Sequence, residues 1–579
     1  MPTWAHVTQW KPDAISKVAD MLTKDRNALL TLQEHLDDSA TPEEWQGAAA
    51  RAAQAQLRRY REQLEDLVAG LSAVISRVDG TADIAHSNAD AIEAAEEIAR
   101  IHQFLITDAG AIVDTGVVLE TTPQDVLDTR SAVEAELRER VAQVLERADD
   151  IDHDLAALMN QVIGGRINDE GATSLAGAAF AGTVQGFTDV PEVPKNGTPT
   201  QNAAWWATLT AGEKQWLIRN RADLIGNLNG LPTAARSEAN VARLAVQRQL
   251  IETLLRHKRA LRDDLWPWEV VENHRLDADI ANLEAKLAAL DNINSIMYRK
   301  GELREDRSLI TLDLDGERAR AAIGEGDVDT ADNLAVFTPG MNSTVEGNLD
   351  DYVRDMKELK GYSEELLRKN GVDESVAAVT WLDYEPPRAD PSEGIEGTTR
   401  DRAEVGAHRL ASFLDGIEAS RSDDVRITTV SHSYGSLTTG LALRETSASD
   451  ATVFTGSPGT GSANPDGRGH VTPDIGTGDL PPGEKVATDS PTMRVPDGSS
   501  YNLSIPDDFV SNSGWHGVNP SLDANITELD SQPTHTPDGQ RLHNIGGHSG
   551  YTVADGQMSA SEYNTAAIIA DLPELAIQK

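Results

Sequence analysis

The chain has 579 residues, enough for roughly two to four domains, and no cysteine, which excludes a disulfide frame, a thiolate nucleophile and a Cys-ligated zinc site. Its 94 acidic and 51 basic residues give a formal net charge of −43, so general electrostatic binding to a nucleic-acid backbone or an anionic membrane is disfavoured. The opening MPTWAHVTQWKPDAISK lacks a basic segment followed by an apolar core, and no apolar run reaches about 18 residues; neither a Sec signal peptide nor a membrane span is expected, which leaves the cytoplasm or another export route.

In chain order, residues 1–163 read as a helical-hairpin domain. A helix from Pro12 to about His35 is followed by loop and helix-start signals at Asp37, Asp38, Ser39 and Pro42. Next comes an apolar series at Leu57, Tyr60, Leu64, Leu67, Leu71, Val74 and Val78, whose alternating spacing of three and four predicts the seam of a long helix packing on another. Such a seam also offers a helical partner or self-association. A further helix spans roughly 123–160. Residues 164–202 are rich in Gly, Ala, Thr and Pro and read as a linker. Residues 203–300 form a helical lead-in, with a hairpin of helices over about 240–263 and 269–294, broken at Trp266-Pro267-Trp268.

From 301 to 579 the periodicity changes. SLITLDLDGERARAAIGEG alternates around Asp315-Gly316, a two-residue hairpin signal. Short apolar strands then alternate with helical stretches, at 333–338, 376–382, 425–430, 451–455 and 501–505. This pattern predicts an α/β unit with a mostly parallel sheet and helices on both faces.

In such sheets, sites form beyond the C-terminal strand ends. The strand ending at Val430 runs into Ser431-His432-Ser433-Tyr434-Gly435 and then a small-residue helix. The sequence small-x-Ser-x-small there is that of a nucleophile elbow, whose sharp turn projects the Ser433 hydroxyl over the sheet; serine at 431 replaces the usual first glycine. A buried serine that only hydrogen-bonds its turn is the competing reading. The strand 333–338 ends in TPGMNST, where a backbone amide can help bind an oxyanion; Met341 is the candidate, with Asn342 beside it, and Tyr434, following the nucleophile, supplies the second amide. Downstream, an acid and a histidine are required in that order. Asp507 and Asp508 follow a strand, with Asp489 and Asp497 nearby. His548 lies in a Gly-rich loop, and His516 and His543 compete with it. Asp383 and Tyr384, at the end of the strand 376–382, either line the site or satisfy local backbone groups.

Seven blocks in this order resemble an actinobacterial family of α/β-hydrolase-fold proteins: WWATLTAGEKQWLIRNRADLIGNLNGLPTAAR, LITLDLDGERARAAIGEGDVDTADNLAVFTPGMNST, VTWLDYEPP, VSHSYGS, FTGSPGTG, DDFVS and GGHSGY. The resemblance covers roughly 205–571. It implies an α/β-hydrolase fold, with Ser433 as nucleophile, Asp508 as acid and His548 as base. The chain departs from the family pattern at Ser431 and in the long polar loop between FTGSPGTG and the acid. The N-terminal part resembles the WXG superfamily of type VII secretion substrates, on Trp45-Gln46-Gly47 between two helices; the acidic residue expected four positions after Tyr60 is replaced by Leu64. The expectation is therefore a serine esterase or lipase-type hydrolase of a small-molecule or lipid ester, working without a cofactor or metal. The alternative is a type VII-associated interaction protein with an inactive hydrolase scaffold.

Overall fold

The computed structural model describes all residues except 1, 39–47, 117–121, 123, 173, 187–191, 266–269, 391–393, 396–398, 422, 463–484, 486, 533–534 and 553–555. Trp45, Gln46 and Gly47 therefore lie outside the described residues, as does the break at 266–268. Two compact units emerge: residues 1–119, 130–195 and 204–215 form the first, and 120–129, 196–203 and 216–579 the second. No helix among the described residues is long and apolar enough to cross a membrane.

In the first unit the main helices are α1 (Pro12–Asp38), α2 (Ala48–Ile101), α3 (Gln124–Ile163) and α4 (Leu175–Gln185). At 54 residues, α2 is about 80 Å long. The expected leucine seam is only partly its buried face: Leu64 packs against the buried Val68, and Val78 is buried. Leu57, Tyr60 and Leu67 are exposed, at 38%, 56% and 57%, whereas Val68, Ala69, Ser72 and Ala73 are fully enclosed. The reason lies in the stretch expected to be a linker. Its glycines and alanines form α4, which starts at Ser174, whose hydroxyl accepts the Gly177 amide. The helix lies so close to α2 that a Cβ at Gly182 would stand 2.0 Å from the Ala69 carbonyl oxygen, and one at Gly186 2.2 Å from that of Ala73. Small residues on both helices let the backbones meet, and packing of that surface outweighs the leucine periodicity. Gly182→Val should therefore undock α4, accelerating amide exchange across 175–185 at least tenfold. Gly361→Ala, whose added Cβ meets nothing within 4 Å, should be neutral or stabilise by about 0.5–1 kcal/mol. Unchanged exchange in Gly182→Val would show that the contact does not hold the helix.

The second unit is built on an eight-stranded sheet: β1 (Arg307–Asp313), β2 (Arg320–Glu325), β3 (Asn333–Thr338), β4 (Val376–Leu382), β5 (Arg426–His432), β6 (Ala451–Thr455), β7 (Ser500–Leu503) and β8 (Thr527–Leu529). Their spatial order is 1-2-4-3-5-6-7-8, with β2 antiparallel to both neighbours and all other pairs parallel. The β1–β2 connection is not a two-residue turn. Residues 314–319 bridge the strands, the Asp313 carboxylate accepts the Asp315 amide, and Arg320 pairs with Asp313.

Strand alternation sorts the core onto two faces. Ala335, Phe337, Val376, Ala378 and Val430 pack with α7 (Leu349–Asn370) and α10 (Ala560–Ile569). Leu334, Val336, Ala377, Val379 and Trp381 pack on the other face with residues of α5 (Thr233–Asp264), α6 (Val270–Met297), α8 (Asp401–Ala419) and α9 (Tyr434–Ala442). α7 shows why the pattern works: Val353, Met356, Leu359, Ser363, Leu366 and Leu367 form its buried stripe, and Gly371, with φ +74°, ends it. The architecture is the expected α/β unit, preceded by helices. Its parallel strands bring the C-terminal ends of β3 and β5 side by side, with Thr338 opposite Ser431.

Candidate active site

β5 turns into α9 through Ser433, whose backbone sits at φ +56°, ψ −128°, a conformation that non-glycine residues avoid. The turn survives because its neighbours are small. A Cβ on Gly435 would stand 2.3 Å from the Thr338 carbonyl oxygen, and one on Gly340 2.7 Å from the Ser433 Cβ. Serine at 431 fits where glycine was expected: it is fully buried, its hydroxyl 3.5 Å from that of Ser436. The strain is local and lifts one hydroxyl over the strand ends.

Three residues separated in sequence meet there. Ser433 Oγ is 2.8 Å from Nε2 of His548, whose Nδ1 lies 2.9 and 3.0 Å from the two oxygens of Asp508. With the carboxylate accepting from Nδ1–H, Nε2 is the free acceptor for the serine hydroxyl. Asp508 is 2% exposed and firmly held: the Val510 and Ser511 amides donate to one oxygen and the Tyr551 hydroxyl to the other, at 2.9 Å. Burial opposes ionisation of Asp508, but the hydrogen bond and charge of His548, with the bonds from Tyr551 and Ser511, outweigh it and hold the carboxyl below the usual range. Tyr551 is enclosed, accepts the Ile505 amide, and is pushed well up by burial and by Asp508. Asp507 is exposed, and His516 lies in the same cavity, its ring edge-on to that of Tyr434 at 5.2 Å. His543 is elsewhere, its backbone bonded to Met558 and Ala560. Asp489 pairs with Arg444.

Tyr434 is the first residue of α9, so its amide has no intrahelical carbonyl to bond. On the facing loop, the Asn342 amide donates to Pro387 O at 2.9 Å, which leaves Met341 as the better amide donor of the two. A cavity of about 340 Å³ opens over Ser433, lined by Met341, Asn342, Tyr352, Pro458, Trp515 and His548 among others. Asp383 and Tyr384 do not line it. The Tyr384 hydroxyl donates to Pro339 O at 2.5 Å, so it props the loop from beneath. Asp383 faces Arg409 at 3.2 Å and Arg320 at 3.5 Å; burial pushes its carboxyl up to about 6 against those charges. Apolar strand ends hid this ion cluster from sequence patterning.

Two residues of the site were not anticipated. Tyr551 stands three positions after His548, a spacing without a general signature. His432 precedes the nucleophile, and its Nε2 lies 2.7 Å from the His548 carbonyl oxygen, with the two rings 4.8 Å apart. Since the carbonyl can only accept, His432 donates from Nε2–H. Burial, reinforced by His548, pushes His432 down to about 4. Its ordinary value is 6.5, so the unfolded chain takes up a proton between pH 6.5 and 4 that the folded protein refuses. Stability is therefore lost as pH falls through that window, by up to about 3 kcal/mol. In His432→Gln, which keeps an N–H donor but does not titrate, urea midpoints at pH 7 and pH 4.5 should lie closer together than in the wild type. An equal pH dependence in both proteins would remove His432 from this account.

Residues 315–472 match an alpha/beta hydrolase family. Among curated proteins, the chain is similar to the uncharacterized protein Rv2079 of Mycobacterium tuberculosis, 30% identical over 281 residues, 46% of this chain and 41% of the relative. It is also similar to the uncharacterized proteins Rv0963c of Mycobacterium tuberculosis and Mb0988c of Mycobacterium bovis, each 35% identical over 159 residues, 26% of this chain and 58% of the relative. The chain thus spans under half of the first relative's length and somewhat over half of the other two. The mostly parallel sheet with its helices and the match over 315–472 agree on an alpha/beta hydrolase fold for this unit.

Proposed function

We propose that the alpha/beta hydrolase domain of this chain is a serine hydrolase that cleaves carboxylic esters through an acyl-enzyme. The observation that carries the reading is the continuous line Ser433 Oγ–His548–Asp508, with both bonds under about 3 Å, standing on a strained turn. Ser433 Oγ attacks the ester carbonyl carbon while its proton passes to His548 Nε2. The tetrahedral oxyanion is met by the Tyr434 and Met341 amides. The C–O bond to the alcohol then breaks, and the leaving oxygen takes the proton from His548. Water repeats the sequence on the acyl-enzyme: it gives a proton to His548, its oxygen forms the new bond to carbon, and Ser433 leaves with that proton. Asp508, ionised and held below its usual range, keeps the imidazole in the productive tautomer and stabilises its charged form.

A fluorophosphonate probe tests this reading, because it phosphonylates only an activated serine. Mass spectrometry should find the adduct on Ser433, with matching loss of hydrolysis of short p-nitrophenyl esters. A folded protein that is neither labelled nor active on any ester would return the domain to the scaffold reading.

A further inference from the structure

The cavity over Ser433 has an asymmetric chemistry. Among the described residues that line it, none is an aspartate, glutamate, lysine or arginine, and three are histidines, His432, His516 and His548. Met341, Val510, Pro458 and Trp515 supply apolar surface, and Trp515 is 36% exposed. The polar part includes two asparagines, Asn342 and Asn348, brought together by the loop after β3.

Each asparagine is already committed on one side. The Asn342 Oδ1 accepts the Ala389 amide at 2.8 Å, and the Asn348 Oδ1 accepts the Thr344 amide at 3.1 Å. Those two bonds fix which end of each side-chain amide is oxygen, because a backbone N–H needs an acceptor. They leave both Nδ2 groups as donors, and neither is among the buried unpartnered atoms. Asn342 is held rigidly besides, at φ +64° with its own amide bonded to Pro387 O. The Tyr352 hydroxyl, also on this lining, is engaged with Ser343 Oγ at 2.8 Å. The described lining is therefore apolar on one side and carries, besides its histidines, two asparagines whose side-chain oxygens are already engaged on another.

Resting on the esterase reading above, we infer that Asn342 and Asn348 form a polar subsite for an uncharged acceptor oxygen, so the substrate is a neutral ester carrying a second carbonyl, ether or hydroxyl oxygen beyond the scissile group. A plain hydrocarbon tail leaves the two donors without partners when it displaces water. An anionic group finds no lysine or arginine among the described lining residues, in a chain of net charge −43. At about 340 Å³ the space is near the lower end for small-molecule sites, which suits one short, oxygen-bearing group.

The test uses isosteric pairs that differ by one CH2→O exchange: 4-nitrophenyl valerate against 4-nitrophenyl 3-methoxypropanoate for the acyl side, and butyl acetate against 2-methoxyethyl acetate for the alcohol side. Comparing each ratio of kcat/KM between proteins cancels the intrinsic reactivity of the esters. In at least one pair, the full-length wild type should favour the oxygen-bearing ester relative to the variants by about two- to tenfold, the range of one neutral hydrogen bond. Asn348→Asp and Asn342→Asp keep the acceptor that bonds Thr344 or Ala389 and replace the donor by an acceptor, so the preference should vanish or invert. Loss of packing alone would lower both esters together and leave the ratio unchanged. Ratios that are the same in wild type and both variants, for both pairs, overturn the subsite. Fluorophosphonate labelling of Ser433 in each protein separates the two failures: labelling without oxygen preference sinks only this inference, whereas absence of labelling sinks the esterase reading beneath it.

Discussion

Ser433→Ala is expected to abolish ester hydrolysis, lowering kcat by about a million-fold, while the protein stays folded. The loss is large because in the esterase reading the hydroxyl supplies the attacking atom; a cavity and two amides without it would only bind. Stability should change by no more than about 1 kcal/mol, since one hydrogen bond to His548 disappears and the strained backbone remains. Ser433→Gly separates strain from chemistry. It removes the same hydroxyl but relieves the positive φ, so it should be just as inactive yet melt higher than Ser433→Ala, by the equivalent of about 1 kcal/mol or more. Hydrolysis of p-nitrophenyl esters and thermal melts on the three proteins decide both points. Either variant turning over esters at the wild-type rate would end the role of Ser433, and equal melting of both variants would mean the turn is unstrained.

The parts of this arrangement that could be read from sequence are those fixed by local constraints. Strands β3, β4 and β6 were legible to the residue because parallel strands buried on both faces need uninterrupted apolar runs, and Gly, Pro and Asp mark where those runs stop. The elbow was legible because only small residues permit the approach of Gly435 to Thr338. The three-residue strand β8 was missed: its one strand neighbour is Ser500–Leu503, its other side is bridged by Gln578, and it is too short to show alternation. The face of α2 was partly misread for the opposite reason. Its leucines have a strong period, but Ala69 and Ala73 have a better-fitting partner in Gly182 of α4 and in Gly186 just after it, and small residues carry almost no hydrophobic signal.

At the site, Ser433, Asp508 and His548 were legible as a set, and the structure brings them together; the partners of Asp383 and His432 were not. Asp383 ends an apolar strand just as a site residue would, yet its neighbours Arg320 and Arg409 come from β2 and α8, and no local pattern announces that. His432 was visible as the residue before the nucleophile, but its bond to the His548 backbone joins positions 116 apart. Long-range hydrogen bonds are set by topology, so they enter only once the strand order is known.

The acid offers the second large effect, and the structure makes it a comparison of neighbours. Asp508→Asn should lower kcat about ten thousand-fold, whereas Asp507→Asn should change it by less than about twofold. Asp508 is 2% exposed and bonded to His548 Nδ1, while Asp507 is exposed. An asparagine at 508 keeps one oxygen for the Val510 and Ser511 amides, so its NH2 is turned towards His548. That NH2 can only donate, so Nδ1 must become an acceptor and the ring proton moves to Nε2. The imidazole is then unable to take the proton of Ser433, and its charged form loses its counter-charge. Tyr551→Phe is the graded control. It removes one donor that holds the carboxylate ionised and oriented towards His548, so kcat should fall, by about tenfold at most. Measuring kcat for all three variants from pH 4 to pH 9 on one ester orders them. If Asp507→Asn were the damaging change, the acid would be Asp507; if Tyr551→Phe kept the wild-type kcat, its hydroxyl would not be supporting the carboxylate.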